Sequence, residues 1–156
     1  MWNNASLKQT LAFHTGFVGA IRFSEGKIYS GGKDGNLNII DPNSLQLERT
    51  INFSGILIRA IDIKGGEALV GLRSGSIIKV DIATDTKQVI MNSHSDGEVW
   101  GMSLPNDTIV VTTADDNQIL AWDTQQRKMV GRGTVSNTAK ALKRRGASSL
   151  TQFPDS

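Results

Sequence analysis

The chain of 156 residues contains no cysteine. That excludes a disulfide framework, a thiol nucleophile and thiolate metal ligation, and it suits a reducing compartment. Proline is scarce, with 3 residues against 16 glycines, which points to many tight turns rather than disorder. Charge of one sign is also lacking. A net +2 supports no broad field aimed at nucleic acid or lipid. There are only 2 histidines, at positions 14 and 94, and no carboxylate cluster accompanies either, so metal binding is poorly supported. No apolar run approaches the roughly 18 residues that a membrane span needs, and the first residues show no secretory pattern. The length permits one ordinary domain with a sizeable core. These limits lead to the expectation of a soluble, intracellular, turn-rich protein without cofactor or metal.

What is there is a repeat. The apolar residues Val18-Ile21-Phe23, Ile58-Ile61-Ile63 and Val99-Met102-Leu104 are each spaced three and then two apart. Each set is followed by a second β-rich run, at 27–30, 67–70 and 108–112, and then by a turn signal at Asp34-Gly35, Ser74-Gly75 and Asp116-Asn117. Asp-Gly between β-rich runs predicts a hairpin with a primed turn, which needs positive φ. A third strand then closes on an apolar residue plus aspartate: Ile40-Asp41, Val80-Asp81 and Trp122-Asp123. Outer strands follow at 45–51, 87–91 and 127–131. From lead residue to closing pair the offsets are 22, 22 and 23, and the pair recurs about every 40 residues. That is the period of a WD-repeat blade of four strands. The fold expected is all-β, a β-propeller segment of about three blades; a sandwich of regularly spaced short strands is the alternative.

The boundaries that follow are 13–52, 53–92 and 93–132 for the three blades. Residues 1–12 read as the end of a preceding blade, with Trp2-Asn3 as its closing pair and 6–11 as its outer strand. Residues 133–156 read as a basic connection toward a missing next blade. Propellers close with roughly four to eight blades. The expectation is therefore that the ring is completed by further blades, in the same polypeptide or in a second chain.

Polar residues recur within the repeat. The third blade holds His94, Thr112, Asp116 and Trp122, at the relative positions where well-formed WD repeats are expected to join the strands of one blade through a hydrogen-bonded tetrad. The first keeps His14, Ser30 and Asp34, with Ile40 in place of the tryptophan, and the second keeps none. Read as chemistry, Ser30, His14 and Asp34 would be a catalytic triad, but a triad needs an exposed nucleophile and an oxyanion site. The repeat instead places these groups inside the blade, where they would satisfy one another's hydrogen bonds. Asp115-Asp116 lacks calcium-loop spacing. Gly31-Gly32-Lys33 sits in a hairpin with no helix after it, which rules out a phosphate loop. No catalytic residue, cofactor site or metal ligand is assigned, and an enzyme is not expected. The one uneven stretch of charge is Lys140, Lys143, Arg144 and Arg145. It reads as a solvated connection, or as a contact for an acidic partner.

Beyond the general repeat, several phrases are similar to the echinoderm microtubule-associated protein-like family of WD-repeat proteins. They are Ser30-Gly31-Gly32-Lys33-Asp34-Gly35, Val70-Gly71-Leu72-Arg73-Ser74-Gly75, and His94-Ser95-Asp96-Gly97-Glu98-Val99-Trp100-Gly101, with the tail Lys143-Arg144-Arg145-Gly146-Ala147-Ser148. Trp100 is the most specific, because the general repeat does not demand it. The chain departs from that family in three ways: no coiled-coil heptads, no evident opening apolar motif, and most blades absent. The resemblance implies a non-enzymatic scaffold of the cytoplasm and cytoskeleton, microtubule-associated or on a ciliary or flagellar axoneme. Its partners would be tubulin or microtubule-associated proteins, with no specific nucleic acid and no membrane. The alternative is a WD-repeat adaptor in another intracellular complex.

Overall fold

The computed structural model describes residues 9–134, apart from 93 and 95–97. Strands dominate these residues because short runs rich in Ile, Val and Leu alternate between two buried environments and are broken by Gly, Asp and Asn turns. Among the described residues there are twelve strands and no helix. The first sheet is formed by β1 (Val18–Ser24), β2 (Lys27–Gly32), β3 (Asn36–Ile40) and β4 (Leu47–Asn52). The second is formed by β5 (Ile58–Lys64), β6 (Glu67–Leu72), β7 (Ser76–Asp81) and β8 (Lys87–Asn92). The third is formed by β9 (Val99–Ser103), β10 (Ile109–Ala114), β11 (Gln118–Asp123) and β12 (Lys128–Thr134). Each is an antiparallel meander in chain order.

The sheets pack face to face through their first strands, with β1 against β5 and β5 against β9. Between the first two sheets, Tyr29, Leu37, Ile39, Ile51 and Phe53 meet Ile58, Ile61 and Ile63. Between the second and third, Leu69, Ile77, Ile90 and Met91 meet Val99, Met102 and Val110. The three-then-two spacing thus marks the residues that each sheet pushes into the sheet before it. The first sheet has no such neighbour among the described residues. Ile58, Ile61 and Ile63 are 0%, 4% and 7% exposed, whereas their counterparts Val18, Ile21 and Phe23 are 51%, 70% and 68% exposed.

Three local expectations need correction. The β2–β3 turn is not primed. Only Gly35 has positive φ there (73°), as have Gly75 (80°) and Asn117 (58°) in the equivalent turns. Gly35 N–H donates to Gly32 O at 3.2 Å, the pattern of a turn closed by one left-handed residue rather than two. The physical reason lies in Asp34, which stays out of the left-handed region and turns its carboxylate back into the blade. The outer strands also begin later than 45 and 127, because Leu45 (φ 56°) and Arg127 (φ 52°) still belong to left-handed turns. Of the early outer strand at 6–11, residues 9–11 form no strand, and the rest, with Trp2-Asn3, lies outside the described residues.

Candidate interaction face

The polar groups inside the blades come first. In the third sheet Trp122 Nε1–H donates to Thr112 Oγ1 at 3.1 Å, and His94 Nε2 lies 2.9 Å from the same hydroxyl. The Asp116 carboxylate only accepts, so His94 Nδ1–H donates to its Oδ2 at 2.8 Å. Nε2 then accepts the single proton of the Thr112 hydroxyl, an assignment made from the hydrogen-bond network. In the first sheet His14 Nε2 is 2.8 Å from Ser30 Oγ, and His14 Nδ1 is 3.0 Å from Asp34 Oδ1. Asp34 also accepts from the backbone of Thr15 at 2.9 Å and Asn36 at 3.1 Å. Burial pushes the Asp34 carboxyl up, but the Thr15 N–H, the His14 ring and the Asn36 N–H together outweigh it and leave it below its ordinary value. Ser30 and Thr112 are both buried, at 5% and 0% exposed. A hydroxyl enclosed in this way cannot meet a substrate, whatever the spacing of its neighbours suggests.

Asn38 is the residue that the sequence reading missed. Its Nδ2 donates to Phe13 O at 3.0 Å, and its Oδ1 accepts from Thr50 Oγ1 at 2.7 Å. It ties the entry segment to β3 and β4 in the blade that has Ile40 where the third has Trp122. The only hint was a polar residue within an otherwise apolar run.

The aspartates of the closing pairs cap the turns that follow them. Asp41 Oδ1 accepts from the N–H groups of Asn43 and Ser44, both at 2.8 Å. Asp81 Oδ1 accepts from Thr84 N–H at 2.8 Å, and Asp123 Oδ1 from Gln125 and Gln126 at 2.9 and 2.7 Å. The Ser44 and Asn43 N–H groups lower the Asp41 carboxyl to about 2, and the Thr84 N–H lowers that of Asp81.

A second constellation crosses all three sheets. Each first strand has an extra residue just after its lead residue. Register slips between Val18 and Ala20, between Ile58 and Ala60, and opposite Thr113 and Ala114, leaving Gly19, Arg59 and Trp100 unpaired. A bulge of this kind re-aims a side chain. The Arg59 guanidinium lies 4.2 Å from the Trp100 ring centroid and 5.2 Å from that of Phe17, so it is held between the rings by cation–π attraction. Glu98 pairs with Arg59 and, at 2.9 Å, with Arg73 Nε. Gly19 takes no part, because a Cβ there would sit 2.2 Å from the Ile58 carbonyl oxygen.

Beside this stack a groove of about 500 Å³ opens between the first two sheets, lined by Phe17, Lys33, Ile56, Leu57, Arg59 and Arg73. Its rim repeats like the blades. Lys33 N–H donates to Phe17 O and Arg73 N–H to Leu57 O, both at 2.9 Å, so the two turn cations and the two apolar entry residues occupy equivalent positions. Lys140, Lys143, Arg144 and Arg145 lie outside the described residues.

The family model for the WD domain, G-beta repeat, matches residues 85–123. That stretch takes in β8 of one sheet and β9, β10 and β11 of the next. The three described sheets are blades of a WD-repeat propeller. The propeller fold is shared with chains in the solved structures of U3-55K (TM-score 0.70, 16% identity, 83% of this chain and 42% of that one) and of the mitotic checkpoint complex (TM-score 0.69, 21% identity, 78% and 38%). At these identities the likeness is one of fold. Among curated proteins, the ciliary WD repeat-containing protein ctxp80 of Euplotoides octocarinatus is 45% identical over 157 residues, aligned to 100% of this propeller chain. The alignment spans 22% of that protein's length.

Proposed function

We propose that these blades belong to a non-enzymatic, protein-binding scaffold of the cilium, associated with microtubules or the axoneme. The observation that carries this reading is the 45% identity to a ciliary WD-repeat protein along the whole of the chain. The mechanism is rigid display. Sheets locked face to face hold their loops fixed, so a partner meets a preorganised surface and little ordering entropy is lost on binding. The buried hydroxyls of Ser30 and Thr112 serve the blades in this reading, not a reaction. The basic cluster at Lys140, Lys143, Arg144 and Arg145 adds attraction for an acidic partner.

The test is co-pelleting of the full-length protein that carries these blades with microtubules, over a range of salt. Pelleting at low ionic strength that weakens as salt rises supports the reading. No pelleting at low salt overturns microtubule association. Affinity capture from ciliated cells then decides the setting: tubulin and axonemal proteins dominate if the blades serve the cilium, and another assembly dominates if they do not.

A further inference from the structure

The groove between the first two sheets has a chemistry of its own. Its floor is apolar, with Leu57 buried and Phe17 and Ile56 partly open to solvent. Its rim carries three cations, Lys33, Arg59 and Arg73, and among the described residues the one carboxylate paired with any of them is Glu98, which Arg59 and Arg73 share. Arg59 is held between two rings and belongs to the wall. Arg73 keeps 66% of its side chain exposed while sharing that carboxylate. Lys33 is exposed, and it makes no ion pair among the described residues. Asp34, its neighbour in sequence, does not neutralise it, because that carboxylate is turned inward to His14 and the Thr15 and Asn36 N–H groups. The groove therefore offers unspent positive charge directly beside uncovered apolar surface.

We propose that this groove binds an extended acidic peptide segment, in which a carboxylate meets Lys33 and Arg73 and an adjacent apolar side chain covers Phe17 and Ile56. The proposal rests on the scaffold reading above and names the chemistry of its partner. Neutral apolar peptides leave the cations unsatisfied, and basic ones are repelled. The backbone bonds from Lys33 to Phe17 and from Arg73 to Leu57 hold the two cations on fixed loops, so the recognition is preorganised.

The probe is a short fluorescein-labelled peptide alternating glutamate and leucine, compared with its glutamine-for-glutamate twin by fluorescence anisotropy on the full chain. The glutamate peptide is expected to bind about tenfold more tightly than the twin, and its affinity is expected to fall with salt. Lys33→Glu and Arg73→Glu each weaken binding about tenfold or more, while Lys128→Glu on β12 leaves it unchanged. Lys33→Gln and Arg73→Gln give intermediate losses, and unaltered thermal midpoints show that the blades remain folded. Equal binding of the two peptides, or indifference to both charge reversals, overturns the proposal. The same variants in the full-length protein separate the two readings. If partners are captured undiminished by Lys33→Glu and Arg73→Glu, the groove assignment fails and the scaffold reading stands.

Discussion

At the scale of single residues, polar atoms in these blades are placed where they complete one another. Asp116 receives the His94 ring N–H and the Gln118 N–H, at 2.8 and 3.0 Å. Removing it leaves both donors without their acceptor in a buried site, which costs about 1–3 kcal/mol. Ser74, at the equivalent turn of the second sheet, is exposed, and among the described residues its hydroxyl bonds Ser76 Oγ at 3.1 Å. Asp116→Ala is therefore expected to lower the denaturant midpoint clearly, and Ser74→Ala to change stability by no more than about 0.5 kcal/mol. Equal shifts would mean that the polar chain does not stabilise the blade. Acid sensitivity belongs to the turn caps. Asp41 is depressed from 3.8 to about 2 in the folded chain, so its contribution is complete above its ordinary value and is lost as pH falls through about 2. Asp81 and Asp34 are lowered too and act in the same direction. Asp41→Asn keeps an acceptor oxygen but cannot protonate. Thermal midpoints of this variant are expected to fall less steeply than those of the parent between about pH 4 and 2.

At the scale of strands, one sequence pattern has two fates. Ile58 and Ile21 hold different places in the same three-then-two motif, yet one is sealed against the first sheet and the other lies open. Ile58→Ala is expected to cost about 2–5 kcal/mol, because a cavity remains between packed sheets. Ile21→Ala in this chain is expected to stay within about 0.5 kcal/mol. Chemical denaturation of the two variants measures the difference. The motif was legible because a strand buried on one face repeats its apolar positions, and three copies put the pattern beyond coincidence. The bulge is written into that motif, because the extra residue after the lead turns the two-residue step of one strand face into three. The spacing does not say where the extra side chain goes, so nothing in the sequence brought Arg59 beside Trp100, although Trp100 stood out as an unneeded tryptophan. Asn38 replaces a repeat position with different chemistry and escaped for that reason. The turn type was misjudged because Asp-Gly favours a primed turn only when the aspartate is free to adopt positive φ, and Asp34 is held otherwise by its partners. The repeat offsets put His94, Thr112 and Asp116 in one neighbourhood; whether they act as a stabilising unit is the question that Asp116→Ala answers.

At the scale of the whole molecule, the extensive packing runs between neighbouring sheets, with Arg22 of β1 reaching past the middle sheet to Met102 O of β9 at 3.4 Å, so stability is distributed much as in a one-dimensional array. The middle sheet is flanked on both sides and holds Ile58, Val70, Ile77 and Val80 at 0% exposure. β12 is exposed along nearly its whole length. Amide hydrogen exchange of this chain is expected to show the strongest protection in β5, β6 and β7 and the weakest in β12. Uniform protection across the three sheets would show that they open as a single unit. The arrangement also bears on how such rings grow. The matched repeat, residues 85–123, begins before the outer strand of one sheet and ends with the third strand of the next. The unit of sequence similarity is therefore out of phase with the unit of packing. A tandem duplication of one repeat length keeps that phase wherever the break in the coding DNA falls, so each new copy supplies the strands its neighbours need. Whole blades can then be gained or lost in single genetic events without leaving a strand unpaired between sheets.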